Sequence, residues 1–290
     1  MQTAEVYIFN HTGNSTVVIN ADEWCSGYIF VTRVYFRTIG ETVEVRQLAI
    51  AMLVIAVVHV AFGQGGPPMI TDDPGTPGNG KWENNLAIIF EHRPNESSLD
   101  VPEIDLNYGV GEHFQLTLQA APVINQRGNH GLIGGIGGTE AAVKWRFLDE
   151  AATGVALSIF PRVIFNVSQA SVRRGLAEDG TRFQIPFEIA KGFGPWHGDA
   201  EFGPRAGTVG RSEWFGGIVC GLDFSKRTML MAELHDESRM DFRRNVFVLN
   251  FGLRYEWTAN EVLIVSMGHE LRSPDQPTAL IGYFGMQFVY

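Results

Sequence analysis

Residues 278–290 read T-A-L-I-G-Y-F-G-M-Q-F-V-Y. Counting back from Tyr290, every second side chain is Phe288, Met286, Phe284, Gly282 and Leu280, a row that is apolar apart from one glycine. The other row, Val289, Gln287, Gly285 and Tyr283, is mixed and small. A strand sends successive side chains to opposite faces, so this stretch is a strand with one greasy face and one milder face. In a soluble sandwich the greasy face would lie against a second sheet. In a lipid-facing barrel it would meet hydrocarbon, and the strand would pair with the first one to leave no edge. Phe284, Phe288 and Tyr290 are then the side chains expected at the barrel closure.

The same period of two runs back through the chain from Lys81. Apolar and polar side chains alternate over 82–91, 103–108, 114–120, 139–147, 155–165 and 183–190, then over 197–204, 214–224, 228–235, 246–256 and 262–271. With the closing stretch this makes twelve strands. The segment 246–256 is the clearest, with Phe247, Leu249, Phe251, Leu253 and Tyr255 opposing Val246, Asn250, Arg254 and Glu256. Such alternation fits a half-buried soluble sheet as well as a lipid-facing barrel, and the connections decide between them. Short turns are expected at 109–113, 148–154, 192–196, 225–227 and 258–260, alternating with connections that are mostly longer and polar, such as 124–138 and 168–181. Short periplasmic turns, long external loops, an even strand number and aromatic strand ends (Trp82, Tyr108, Trp145, Trp214, Tyr255) together predict an all-β, 12-stranded antiparallel up-and-down transmembrane β-barrel over 81–290.

Upstream of the barrel the chain changes character three times. Residues 1–45 show no sustained period and are read as a non-native, disordered upstream extension, with the true start near 43–48; the competing reading is a short cytoplasmic domain ahead of a membrane anchor. Residues 46–63 carry Arg46, an apolar run too short to span a bilayer, and Ala61 and Gly63 at the spacing of a secretory cleavage site, which predicts a signal peptide cut between Gly63 and Gln64. Residues 64–80 are rich in proline and glycine and predict a coil, either a periplasmic tail or a segment folded into the barrel as a plug. Asp72-Asp73 within it lacks a calcium ligand series and reads as a solvated turn.

Composition limits the function classes. The 290 residues are 45% apolar and 19% charged, with a formal charge of −10, which gives nucleic acid no electrostatic footing. The two cysteines, Cys25 and Cys220, have no metal-ligand spacing, and neither G-x-S-x-G nor H-E-x-x-H occurs. Glu233 and His235 share a strand face, whereas His269 and Ser266 lie on opposite faces. Neither pair makes a catalytic constellation, and no enzyme, cofactor or metal is expected.

Several stretches resemble one family. Pro67-Pro68-Met69-Ile70-Thr71-Asp72-Asp73-Pro74 is similar to its amino-terminal P-P-x-x-T-D-D-P motif. Asn107-Tyr108-Gly109, then Gln115-Leu116 and Ala121-Pro122, resembles its next block. Gly137-Gly138-Thr139-Glu140 with Lys144-Trp145-Arg146-Phe147-Leu148 resembles its G-D-T-E-x-x-x-K-Y-R-F block, with Gly and Trp in place of Asp and Tyr. The family is the outer-membrane transporters named after the meta-pathway of phenol degradation. The resemblance spans the mature chain, is strongest in its first third, and implies a barrel for uptake or efflux without defining the substrate; the solute expected here is small, aromatic or hydrophobic. The terminal aromatic strand likewise resembles the signal by which bacterial outer-membrane barrels are recognised for assembly. The partners implied are outer-membrane lipid, the assembly machinery and a small-molecule solute.

With the apolar rows toward lipid, the polar rows line a lumen. Lys144, Arg146, Arg162 and Arg254 then share it with Glu83, Glu140, Glu188, Glu201, Glu233 and Glu256. Rings of charge of this kind filter solutes; equally, twelve strands enclose a narrow interior that ion pairs could fill structurally. The two corresponding readings of the protein are a channel and a closed barrel that acts through its external loops in a structural or adhesion role.

Overall fold

The computed structural model describes residues 66–128, 131–242, 245–274 and 277–290, together with the backbone of 2–10, 13–25, 28–38 and 41–44. The chain divides into two units, Met1–Ala61 and Phe62–Tyr290. In the first, β1 (Gln2–Asn10), β2 (Gly13–Cys25), β3 (Tyr28–Thr38) and β4 (Glu41–Glu44) form a four-stranded antiparallel meander. The sequence reading expected no order here. The β-branched and aromatic runs at 16–19 and 28–36 carry the strand tendency that it passed over. The signal-peptide segment 46–63 and its cleavage point at Gly63 and Gln64 lie outside the described residues.

The second unit is the barrel. Its strands are β5 (Trp82–Arg93), β6 (Glu96–Val110), β7 (Phe114–Ala120), β8 (Pro122–Arg127), β9 (Ile133–Ile136), β10 (Gly138–Leu148), β11 (Ala156–Ile159), β12 (Arg162–Asn166), β13 (Thr181–Gln184), β14 (Phe187–Phe193), β15 (Trp196–Gly207), β16 (Glu213–Ser225), β17 (Thr228–Arg239), β18 (Asn245–Glu256), β19 (Glu261–Arg272) and β20 (Leu280–Val289). These sixteen segments make twelve staves, because four staves are interrupted once each: β7/β8 at Ala121, β9/β10 at Gly137, β11/β12 at Phe160–Pro161 and β13/β14 at Ile185–Pro186. Neighbouring staves pair antiparallel throughout. The ring is closed by β20 on β5, with Phe284 opposite Ile88 and Phe288 opposite Asn84. Reciprocal backbone bonds between Tyr290 and Trp82, at 2.6 and 3.0 Å, complete the closure. The Asn84 amide donates to the Tyr290 hydroxyl at 2.6 Å.

Proline explains most of the interruptions. Pro102, Pro122, Pro161, Pro186 and Pro204 fall on five staves where register shifts or strand breaks meet. Each lacks the N–H that a central strand donates, so the ladder parts there. Bridging bonds patch the seam: Val143 N donates to Pro161 O at 3.1 Å, Phe160 N to Pro186 O at 3.1 Å, and Ile185 N to Pro204 O at 3.2 Å.

The alternation resolves into an inside-out molecule. Leu118, Phe251 and Phe284, half or more exposed at 50%, 58% and 56%, point outward, whereas Asn85, Glu188, Glu233 and Asn250 are at most 1% exposed. Exposed apolar rows around a buried polar interior are what a lipid-facing barrel requires and a soluble sandwich does not. Aromatic pairs mark both ends. Trp82–Tyr108 and Phe114–Trp145 stand at the end with short turns, and Phe202–Trp214 at the other.

The short turns appear at the expected places. The connection after the first stave does not match. There β5 and β6 run on to Arg93 and from Glu96, leaving a tight two-residue turn where a long loop was expected. Two short helices also occur, α1 (Glu150–Thr153) and α2 (Gln169–Arg174). Ser168 caps the second by accepting from Ser171 N at 3.3 Å.

The lipid-facing rows make a direct prediction. Phe251, at mid-stave between Ala232 and Met267, replaced by arginine should destabilise the barrel in vesicles by about 2–4 kcal/mol in denaturant titration. The same change at Phe224, beside the short-turn rim, should cost about 0–1 kcal/mol. Equal losses at the two positions would contradict the assignment.

Candidate functional site

The site is the lumen and the segment that crosses it. Proline supplies an extended chain with few N–H groups to satisfy in an enclosed space, and Gly66–Gly80 contains four. The segment begins in a tight turn, with Gly66 N donating to Thr71 O at 2.7 Å and Met69 N to Gly66 O at 2.8 Å. Gly66 takes φ of +70°, which a side chain would disfavour. It leaves along the short-turn end, where Gly80 N donates to Gly109 O at 2.9 Å and the Thr76 hydroxyl to Glu112 O at 2.9 Å.

Between these ends the strap is held by the inward faces of opposite walls. Glu233 on β17 receives two successive backbone donors, Ile70 N at 3.1 Å and Thr71 N at 2.6 Å, and also accepts from Asn250 Nδ2 at 3.0 Å. Arg254 donates to Pro67 O at 2.9 Å and the Ser266 hydroxyl to Pro68 O at 2.8 Å. Met69 packs against Val219 and Met231 in a small apolar patch on the inner wall. Thr71 Oγ1 lies 3.2 Å from His235 Nδ1, and Thr71 is fully buried.

On the other wall Asp72 is the common partner of two cations. Lys144 Nζ lies 2.9 Å and Arg162 Nη2 3.1 Å from its carboxylate oxygens. Lys144 also donates to Asp73 O. Both cations flank the buried Phe160 ring, 4.5 and 4.4 Å from its centroid. Arg162 further pairs with Glu201 at 3.0 Å, and Glu188 sits 3.6 Å from both cations. Burial pushes the Asp72 carboxyl up, but Lys144 and Arg162 outweigh it and hold the group below its ordinary value. Burial pushes Asp73 up to about 6, with Lys144 opposing and Asp72 adding to the rise.

The lumen candidates therefore fall into three groups. Lys144, Arg162, Glu188, Glu201, Glu233 and Arg254 meet around the strap. Glu83 and Glu140 are half-buried on the inner wall beyond it. Arg146 and Glu256 belong to the short-turn rim: Arg146 pairs with Asp149 at 2.7 Å, and Glu256 is exposed. The reading of Asp72-Asp73 as a solvated turn is corrected, since both lie inside and Asp72 neutralises the lumen cations. Aspartates in a coil look alike in sequence whether solvated or enclosed, so the pattern gave no signal for this pairing. Phe160, Asp105 and the bidentate Arg93–Glu270 pair, at 2.6 and 2.7 Å, were also not singled out.

Three glycines record how closely the strap approaches the wall. A Cβ on Gly217 would overlap Thr71 Oγ1, one on Gly252 would overlap Met69 Cε, and one on Gly109 would overlap Gly78 O. A crevice of about 330 Å³ opens at the proline seam, between the outward Phe147, Leu157, Phe187 and Phe202 and the inward Glu188 and Glu201.

No protein-family model and no curated protein sequence matches the chain. Among solved structures, its fold is similar to the crystal structure of an outer membrane channel from Pseudomonas putida F1, at 14% identity and a TM-score of 0.59, over 78% of this chain and 100% of that one. It is also similar to the NanC porin, at 9% identity and a TM-score of 0.54, over 71% of this chain and 98% of that one. At these identities the likeness establishes the fold, and the chain is built as outer-membrane channel barrels are.

Proposed function

We propose that this protein is an outer-membrane channel for small solutes, exported through the signal peptide at 46–63, with residues 66–80 serving as a plug in its lumen. The observation that carries the reading is the way the strap is fastened. Inside the lumen its ties are wall side chains bonded to strap backbone and one shared carboxylate, none of them part of the barrel ladder. A filler held in that way can leave while the wall stays closed. Ionised groups on the inner wall then face water when the strap moves. The apolar crevice at the seam, lined by the outward Phe147, Leu157, Phe187 and Phe202, supports a hydrophobic or aromatic solute class. Outer-membrane lipid and the barrel-assembly machinery are the partners this reading requires.

Planar-bilayer recording on the purified, folded barrel tests the function. Discrete single-channel steps and solute flux into vesicles are expected. A folded barrel that neither conducts nor admits solute would instead favour the closed barrel acting through its external loops.

The strap can be tested separately by filling the space it occupies. Gly217→Leu keeps an allowed backbone and places a side chain where Thr71 sits. The expected result is faster protease cleavage within 66–80 and a severalfold larger conductance. Losing the two Glu233 hydrogen bonds alone weakens the strap by about 3–6 kcal/mol. Cleavage that accelerates with conductance unchanged would show that the strap is not the plug.

A further inference from the structure

Among the described residues, Asp72 is the one side chain of the strap that forms ion pairs. The other luminal ties run from wall side chains to strap backbone, or through the Thr71 hydroxyl. The wall thus holds the Asp72 carboxylate as it would hold a separate ligand. Its Oδ1 accepts from Lys144 Nζ at 2.9 Å and from the neighbouring Asp73 N at 2.8 Å, and its Oδ2 accepts from Arg162 Nη2 at 3.1 Å. The two cations come from different staves, β10 and β12, and both stand against the ring of Phe160, which is 2% exposed. They are therefore placed by the wall and not by the strap.

The wall side of this contact is not saturated. Arg162 presents one nitrogen to three carboxylates: Nη2 lies 3.1 Å from Asp72, 3.0 Å from Glu201 and 3.6 Å from Glu188. Its buried Nε has no hydrogen-bond partner. A guanidinium offers a planar fork that fits both oxygens of one carboxylate. Asp72, tethered to the strap, engages one prong; a free carboxylate has no such tether. Charge selects the occupant as well. A monoanion in place of the Asp72 carboxylate leaves the balance among Lys144, Arg162, Glu188 and Glu201 as it stands. A neutral solute would leave two buried cations short of an anion, and a dianion would crowd a second negative charge against Glu188 and Glu201.

We propose that Lys144 and Arg162, backed by Phe160, form a binding site for the carboxylate of a small organic monoanion, and that Asp72 occupies it as a stand-in ligand while the strap is seated. The proposal rests on the channel reading, for which it names a solute class. The solute acid takes over the two cations as Asp72 lifts away, and the rest of the solute lies in the space that the strap leaves. Binding and release of the strap are then one exchange.

The test uses the full-length folded barrel in detergent. Asp72→Gly removes a carboxymethyl group, whose free counterpart is acetate, so sodium acetate is the probe and saturation transfer to its methyl signal the readout. Saturable binding is expected, at least ~10-fold tighter in Asp72→Gly than in the wild type, where the tethered carboxylate competes. Neither acetamide nor an equal concentration of sodium chloride should displace the acetate. Adding Arg162→Gln should weaken binding by at least ~10-fold, as loss of charge-assisted bonds does. In the wild type, sodium acetate but not sodium chloride should speed protease cleavage within 66–80; this arm decides alone if Asp72→Gly does not fold. No saturable signal in a folded Asp72→Gly barrel would overturn the proposal. Equal displacement by chloride would show an adventitious anion only, and binding indifferent to Arg162→Gln would place acetate elsewhere; either overturns it. Binding in the variant with no effect on the wild-type strap would show a pocket that only the variant has, and would also overturn it. Acetate binding and strap release without any solute flux would leave the site standing and remove the channel reading instead.

Discussion

Every backbone polar group in the lipid-spanning part of this chain needs a partner that neither water nor lipid can supply, and the closed ladder supplies it. That constraint makes the pairing of β20 with β5 the contact on which the rest depends. Open the ring between Trp82 and Tyr290 and two strand edges face hydrocarbon with unpaired donors and acceptors, each costing several kcal/mol. Closure also sets the sides of the molecule. With the ring shut, every stave has one face toward lipid and one toward a narrow interior, so the period of two along the sequence becomes the difference between Phe251 outside and Asn250 inside.

The narrow interior then creates its own problem. Lys144 and Arg162 face inward on neighbouring staves and cannot remain buried without counter-charge. Glu188 and Glu201 supply part of it from the wall, and the chain brings in Asp72 from the strap to complete the set. The strap and the wall are therefore electrostatically complementary, which gives the segment one seat rather than many. On the far side of the lumen Glu233 works without a cation, gathering two backbone donors and the Asn250 amide. The proline seam and the close-approach glycines serve the same end by shaping the wall around what lies within it.

How far this could be read from sequence follows from the range of each interaction. The staves, their number and their inward and outward rows depend on residues one and two apart, so they were legible, down to the closing row of Phe284 and Phe288. The broken staves were less so, because Pro161 and Pro186 interrupt the ladder without interrupting the alternation on either side. The first connection was misjudged because Pro102 and the polar 94–100 read as loop, although polar residues that face a lumen or the rim are compatible with a strand. The interior contacts depend on partners far apart in sequence, such as Asp72 with Arg162 or Arg93 with Glu270, and pattern gives no access to those. In the extension 1–45 the absence of a single clear period hid short strands rich in β-branched and aromatic residues.

The account stands on hydrocarbon touching the outward rows and water or the strap touching the inward ones. Spin labels placed singly at 247–255 on β18, with collision rates measured against oxygen and a water-soluble nickel chelate in lipid vesicles, measure this directly. An oscillation with a period of two, with the labels at 247, 249, 251, 253 and 255 favouring oxygen, is the predicted result. Uniform chelate accessibility along the strand, or protection of 251 from both reagents, would place protein or water where the barrel requires lipid and would contradict it.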